Sequence, residues 1–232
     1  GGLGPKLLRL AHADAISYSI RSGRTGGMRG TLKLYSNSSL PPGLSAIMPF
    51  LEDYKILHPK ASYADIWAYA ASVAISESRG PAVPYRCGRK DLNATQFTPA
   101  PSLQPQGTWN ASQIRARYSD MGLTDNETMA IFAMRGMGRM HPDVSGYDGR
   151  TTPFSLFITN AYFIQLTRMT TFVYSSSAKQ WVNSASKTAM MPSDMSLMND
   201  TSFQGAVQRY AANATLMFTD FVPAFVKLLE LG

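Results

Sequence analysis

The sequence predicts a mostly α-helical fold with a minor β-hairpin. Three observations carry that prediction. Apolar residues recur at helical spacing through most of the chain. The one stretch with strand-like and turn-like composition is Phe172–Lys187. The 232 residues are 44% hydrophobic and 16% charged, enough for a single sizeable core.

Taken in order, Lys6–Ile20 reads as the first helix, with Leu7, Leu8, Ala11 and Ala15 near helical spacing. The Gly-rich segment Arg21–Thr31 follows it. Leu44–Leu57 is a second helix, ended before Pro59. Ser62 is a suitable N-cap for a third, Tyr63–Ser78, whose Trp67, Ala70, Ala71 and Ala74 allow close helix packing. Gly80–Trp109 is rich in Pro, Gly and polar residues and reads as a long loop of the kind that wraps a site. Ser112–Tyr118 and Asp125–Met134 are helices, the second opened by a capping box of Thr124 and Glu127. Phe157–Met169, Ser202–Ala211 and Thr215–Leu231 complete the set, with Pro223 expected to kink the last or mark its first turn.

Composition narrows the function classes. The net charge of +7 is spread along the chain, and its densest group, Arg86, Arg89 and Lys90, is short. No nucleic-acid motif or aromatic–basic alternation accompanies it, so a generic basic surface is expected. Cys87 is the lone cysteine, which excludes an internal disulfide. Six of the eight asparagines, including Asn37 and Asn93, lie in Asn-x-Ser/Thr sequons, as a Ser/Thr-rich chain produces freely. No stretch is long and apolar enough to span a bilayer. No targeting segment is visible, and with Gly at position 1 this says nothing about compartment.

By pattern alone no catalytic constellation stands out. His12, His58 and His141 are far apart, with no partner at a metal-ligand spacing. There is no Gly-x-Ser-x-Gly elbow and no Walker or dinucleotide pattern. Met134, Met137 and Met140 recur every three residues, which marks core filling more often than a soft metal site. The order of local motifs says more. Leu7-Leu8-Arg9-Leu10-Ala11 precedes Arg24-Thr25-Gly26-Gly27, then Ser62-Tyr63-Ala64-Asp65 and Gly80-Pro81-Ala82-Val83-Pro84-Tyr85-Arg86-Cys87-Gly88-Arg89. Met121-Gly122-Leu123-Thr124-Asp125, Gly138-Arg139, Ser145-Gly146-Tyr147-Asp148-Gly149, Pro192-Ser193-Asp194 and Lys227-Leu228-Leu229-Glu230 follow. In content and order this run resembles the class I haem peroxidases, the ascorbate and cytochrome c peroxidase family, over nearly the whole chain. The tail, with Trp181 and Met190-Met191-Pro192, looks closer to the cytochrome c peroxidases. The resemblance implies a two-lobe helical peroxidase-like fold in one domain, residues 1–232. The distal lobe is expected at about 1–120 and the proximal lobe at about 121–232.

The resemblance also shows where the chain departs. The family's distal helix carries Arg, then Trp, then the His that moves the peroxide proton. Here Arg9 is kept, His12 stands at the Trp position and Ala13 at the His position. Alanine accepts no proton, and His12 is rotated from the neighbouring position by about 100° of helix. The Asn that orients the distal His matches Pro41, and the proximal Trp matches Thr151. The proximal iron ligand matches Arg135, a group that stays protonated and so cannot ligate. The Asp that holds the proximal imidazole is kept as Asp194, and His141 matches a propionate contact. The ascorbate-binding Arg matches Val144, and the Gly-Arg-Leu-Pro motif at the haem edge matches Pro101-Ser102-Leu103-Gln104. An Arg135–Asp194 ion pair is expected to fill the proximal space, because a guanidinium matches a carboxylate in bidentate geometry.

From these substitutions the chain is expected to be a degenerate pseudoperoxidase: not an enzyme, without haem or metal. It would serve as a structural or accessory subunit of an organellar complex, the mitochondrial respiratory chain favoured and the chloroplast thylakoid the alternative. Its partners would be protein subunits, a related peroxidase-like chain as heterodimer among them, in a membrane-associated assembly and with no nucleic acid. The other reading is a haem-binding peroxidase-like protein with non-standard ligation, through His12 or a methionine, acting in hydrogen peroxide removal or sensing.

Overall fold

A computed structural model describes residues 2–36, 39–97 and 103–232. Asn37, Pro101 and Ser102, which figured in the sequence reading, lie outside the described residues. Ten α-helices and one small sheet are described: α1 (Leu3–Ala15), α2 (Met48–Leu57), α3 (Tyr63–Glu77), α4 (Ala111–Asp120), α5 (Asp125–Ile131), α6 (Pro142–Ser145), α7 (Ala161–Thr167), α8 (Pro192–Ser196), α9 (Thr201–Ala212) and α10 (Ala214–Leu229). The fold is mostly α, as the periodicity predicts.

The helix starts written in local chemistry lie where that chemistry puts them. Ser62 accepts from the Asp65 amide, and Thr124 and Glu127 close a reciprocal capping box. The differences arise where distant segments compete. α1 ends at Ala15 rather than Ile20, because the Asp14 carboxylate turns away to accept the amides of Gly30, Thr31 and Leu32. α7 begins at Ala161, not Phe157. Before it, the Ile158 amide donates to Ser78, and the Asn160 side chain donates to the carbonyls of Tyr210 and Ala211. α2 begins at Met48, with Pro49 in its first turn. α5 tightens into a 3₁₀ turn, Phe132–Gly136. Pro223 sits inside α10, which continues through it.

The hairpin is extended by a strand the composition did not show. β1 (Val173–Ser175), β2 (Gln180–Asn183) and β3 (Thr188–Met190) form an antiparallel sheet in that order. Tyr174 pairs with Trp181 and Val182 with Ala189. The amide of Ala189 donates to the Arg150 carbonyl, so β3 is anchored outside the sheet as well. β3 leads directly into Met191 and α8, and so delivers the Met191–Asp194 segment to the site.

One hydrophobic core joins the two halves. α1 packs along α3, where Ala11, Ala15, Ala68 and Ala71 are fully buried and let the helices approach closely. α10 packs on α5 and α1, and α7 on α9. Aromatics fill the second half: Tyr162, Phe163, Tyr210, Phe221 and Phe225 are all buried, each contributing on the order of 1.5–3 kcal/mol.

Candidate active-site cavity

A cavity of about 290 Å³ lies between α1 and the segment that runs from α5 through the 3₁₀ turn to Met140. α1 contributes Leu8, Arg9 and His12; α4 contributes Tyr118; the far wall holds Phe132, Met134, Arg135 and Thr151. Met191 closes it from the start of α8.

On the α1 side, His12 and Tyr118 are hydrogen-bonded, Nε2 to OH, at 2.7 Å. Gln104, from the long loop, hydrogen-bonds the same ring. Burial is the main reason the imidazole pKa falls to about 4, with Arg135, Arg9 and Arg117 adding repulsion against the Gln104 bond. His12 is therefore neutral at pH 7. Tyr118 is 2% exposed, and burial raises its pKa, so it keeps its proton. Replacing Tyr118 by Phe removes the hydrogen-bond partner of a buried ring nitrogen. The expected loss is about 1–3 kcal/mol in chemical denaturation, with α-helical circular dichroism unchanged. Arg9 is half-buried with its guanidinium against Gly43, and burial lowers its pKa.

On the opposite side, Arg135 and Asp194 form an ion pair, with Nε 2.9 Å from Oδ1. Asp194 is fully buried. The same oxygen accepts from Tyr162 OH at 2.7 Å, and Oδ2 accepts the Met191 amide at 2.8 Å. Arg135 Nη2 lies 3.4 Å from Ser193 Oγ and 3.9 Å from Met191 Sδ, and the guanidinium sits over the Phe132 ring. Burial is the largest single influence and works against the Arg135 charge, but Asp194, Tyr162 and Tyr118 together outweigh it and the pKa is raised. Thr151 Oγ1 donates to the Arg135 carbonyl, which fixes the backbone beneath.

Four of the residues singled out in the sequence, Arg9, His12, Arg135 and Thr151, line this cavity, with Asp194 directly behind Arg135. Ala13 and Pro41 line a smaller neighbouring cavity of about 110 Å³, beside Asp14. Burial pushes the Asp14 carboxyl up to about 7 against the lowering effect of its amide donors. His141 is exposed and precedes α6, with its carbonyl accepting the amides of Val144 and Ser145; it is not part of the cavity. Gln104 belongs to the segment matched to the haem-edge motif, whereas Tyr118, Tyr162 and Met191 were not singled out as site residues. Each reaches the site through a contact distant in sequence, for which local pattern carries no signal.

The family model for peroxidases matches residues 1–213. The chain belongs to the peroxidase family. It is 36% identical over its whole length to the mitochondrial cytochrome c peroxidase of Emericella nidulans, covering 65% of that protein. It is 37% identical, again over its whole length, to those of Aspergillus fumigatus and Cryptococcus neoformans var. grubii, covering 64% and 62% of them. The chain thus spans less than two thirds of the length of these relatives.

These matches overturn three expectations from the sequence: the inactive structural subunit, the absence of enzyme activity and the absence of a cofactor. The family is that of the haem peroxidases, and the relatives are named for a peroxidase. The physical reason those expectations went too far lies in the cavity. Replacing individual side chains did not close it, and it retains Arg9, a neutral imidazole and thioethers. The family's own ligation is another matter. Arg135, which the resemblance matches to the proximal imidazole, is ion-paired with Asp194, so the residues present do not fit a haem ligated from that side. The remaining donors of suitable chemistry are the His12 imidazole and the sulfurs of Met134, Met137, Met140 and Met191.

Proposed function

We propose that the chain is a haem-binding peroxidase-type protein with non-standard ligation, acting in hydrogen peroxide removal or sensing. The observation that carries this reading is the cavity between α1 and the α5–Met140 segment, which holds a cationic Arg9 and soft or imidazole donors in a chain of the peroxidase family. Haem bound there would supply the redox chemistry. The residues of the chain would bind and orient it, with Arg9 offering a positive charge to an anionic group and His12 remaining uncharged at neutral pH. A mitochondrial location belongs to the same proposal, supported by the names of the relatives. So does a protein partner, which the net charge of +7 favours as an acidic surface.

Titration of the purified protein with haemin tests the reading. Saturation near one haem per chain, with a shifted Soret band and peroxide consumption above that of free haemin, is the expected result. A spectrum that stays that of free haemin would sink it.

A further inference from the structure

Five of the thirteen methionines are partly exposed: Met48, Met134, Met140, Met169 and Met191. Three of the five, Met134, Met140 and Met191, line the cavity. Among the described residues, Met191 is the one cavity methionine with a cationic donor on its sulfur, Arg135 Nη2 at 3.9 Å. Gly107 lets the Tyr147 ring and the Met191 sulfur pack against its backbone, since a Cβ there would collide with the ring and stand 3.0 Å from Sδ. A thioether is a soft nucleophile that hydrogen peroxide converts to a sulfoxide.

We propose that Met191 is a peroxide-reactive site whose sulfoxide is captured by Arg135. The proposal rests on the reading above only for hydrogen peroxide as the molecule that enters the cavity. A lone pair on Sδ attacks one peroxide oxygen, and the O–O bond breaks with its electron pair on the other oxygen. The proton of the attacked hydroxyl passes to that oxygen, and water leaves. Sulfur is oxidised by two electrons and the peroxide is reduced by two; no further reactant is needed. Arg135 donates to the departing oxygen, which carries the developing negative charge. Afterwards it donates to the sulfoxide oxygen, which fills the gap that now separates Nη2 from Sδ. The sulfoxide is a stronger acceptor than the thioether and competes with Ser193 and Asp194 for the guanidinium. Because the Met191 amide also donates to Asp194, oxidation acts on both ends of the buried cluster.

The test uses the haem-free protein with hydrogen peroxide alone. Samples are quenched over time and digested, and the oxygen gained at each methionine is read by mass spectrometry, with fragment spectra separating Met191 from Met190. Met191 is expected to oxidise several-fold faster than Met48 and Met169, which are also partly exposed but stand outside the cavity. Equal or slower oxidation of Met191 overturns the proposal. In Met191→Leu the fast phase should vanish, with Met48 and Met169 unchanged; a fast phase that persists also overturns it. Failure of haemin to bind while Met191 oxidises preferentially rejects the haem reading and leaves Met191 standing. Saturable haemin binding with no preference for Met191 does the reverse.

Discussion

Replacing Asp194 by alanine is expected to lower the unfolding free energy by about 3–5 kcal/mol, read from urea denaturation at neutral pH. Asp194 is fully buried, is ion-paired with Arg135, and accepts from Tyr162 and the Met191 amide. Its removal strands a guanidinium whose side chain is 19% exposed, a buried phenol and the first turn of α8. Most of the loss is the penalty for these stranded groups rather than the worth of the ion pair. A double variant, Arg135→Met with Asp194→Leu, is therefore expected to recover a large part of it, because two charges leave the interior together. A single-variant loss under about 1 kcal/mol would show that water reaches Arg135 freely and that the cluster is not buried as described.

The second large effect is a pH dependence set by His12. Its pKa in the folded protein is about 4, pushed down chiefly by burial, against an ordinary value of about 6.5. Below pH 6.5 the unfolded chain takes up a proton that the folded chain refuses. Stability is therefore lost as the pH falls from about 6.5 to about 4, and this contribution levels off below that. The shift corresponds to a loss on the order of 3 kcal/mol across the window. His12→Gln keeps an acceptor for Tyr118 and cannot take up the proton, so the difference in acid sensitivity between the two proteins isolates the term. Identical slopes between pH 7 and pH 4 would refute it. Asp14 acts with the opposite sign: its raised pKa favours folding at low pH and withdraws that help as the pH rises toward 7. The comparison must therefore be made between variants and not on the parent protein alone.

The two effects converge on one arrangement. On the α1 side of the cavity the neutral His12 is hydrogen-bonded to Tyr118 and Gln104, while the α5–α8 wall is a paired charge cluster around Asp194. Arg9, on the α1 side, is the cation offered to a ligand, and Met191 is the reactive sulfur. A cavity so built keeps the Arg9 charge on one wall while Arg135, on the other, is committed to an ion pair.

The sequence by itself determined what depends on near neighbours. Helical periodicity, the Ser62 cap and the Thr124–Glu127 box settle where α3 and α5 begin, because their partners lie within four residues. The identities of Arg9, His12, Ala13, Arg135 and Asp194 were equally legible, and with them the departures from the family pattern that the resemblance implies. What those departures meant for activity was not legible, because a missing side chain does not report whether the space around it stays open. Tertiary structure decided whether that space stays open, along with the contacts made across the chain. Tyr118 reaches His12 from α4, Tyr162 reaches Asp194 from α7, and Met191 is carried to Arg135 by a third strand. These are meetings of buried polar groups that must find partners wherever the packing of helices brings one within reach. A partner chosen by packing leaves no spacing in the sequence from which it can be read.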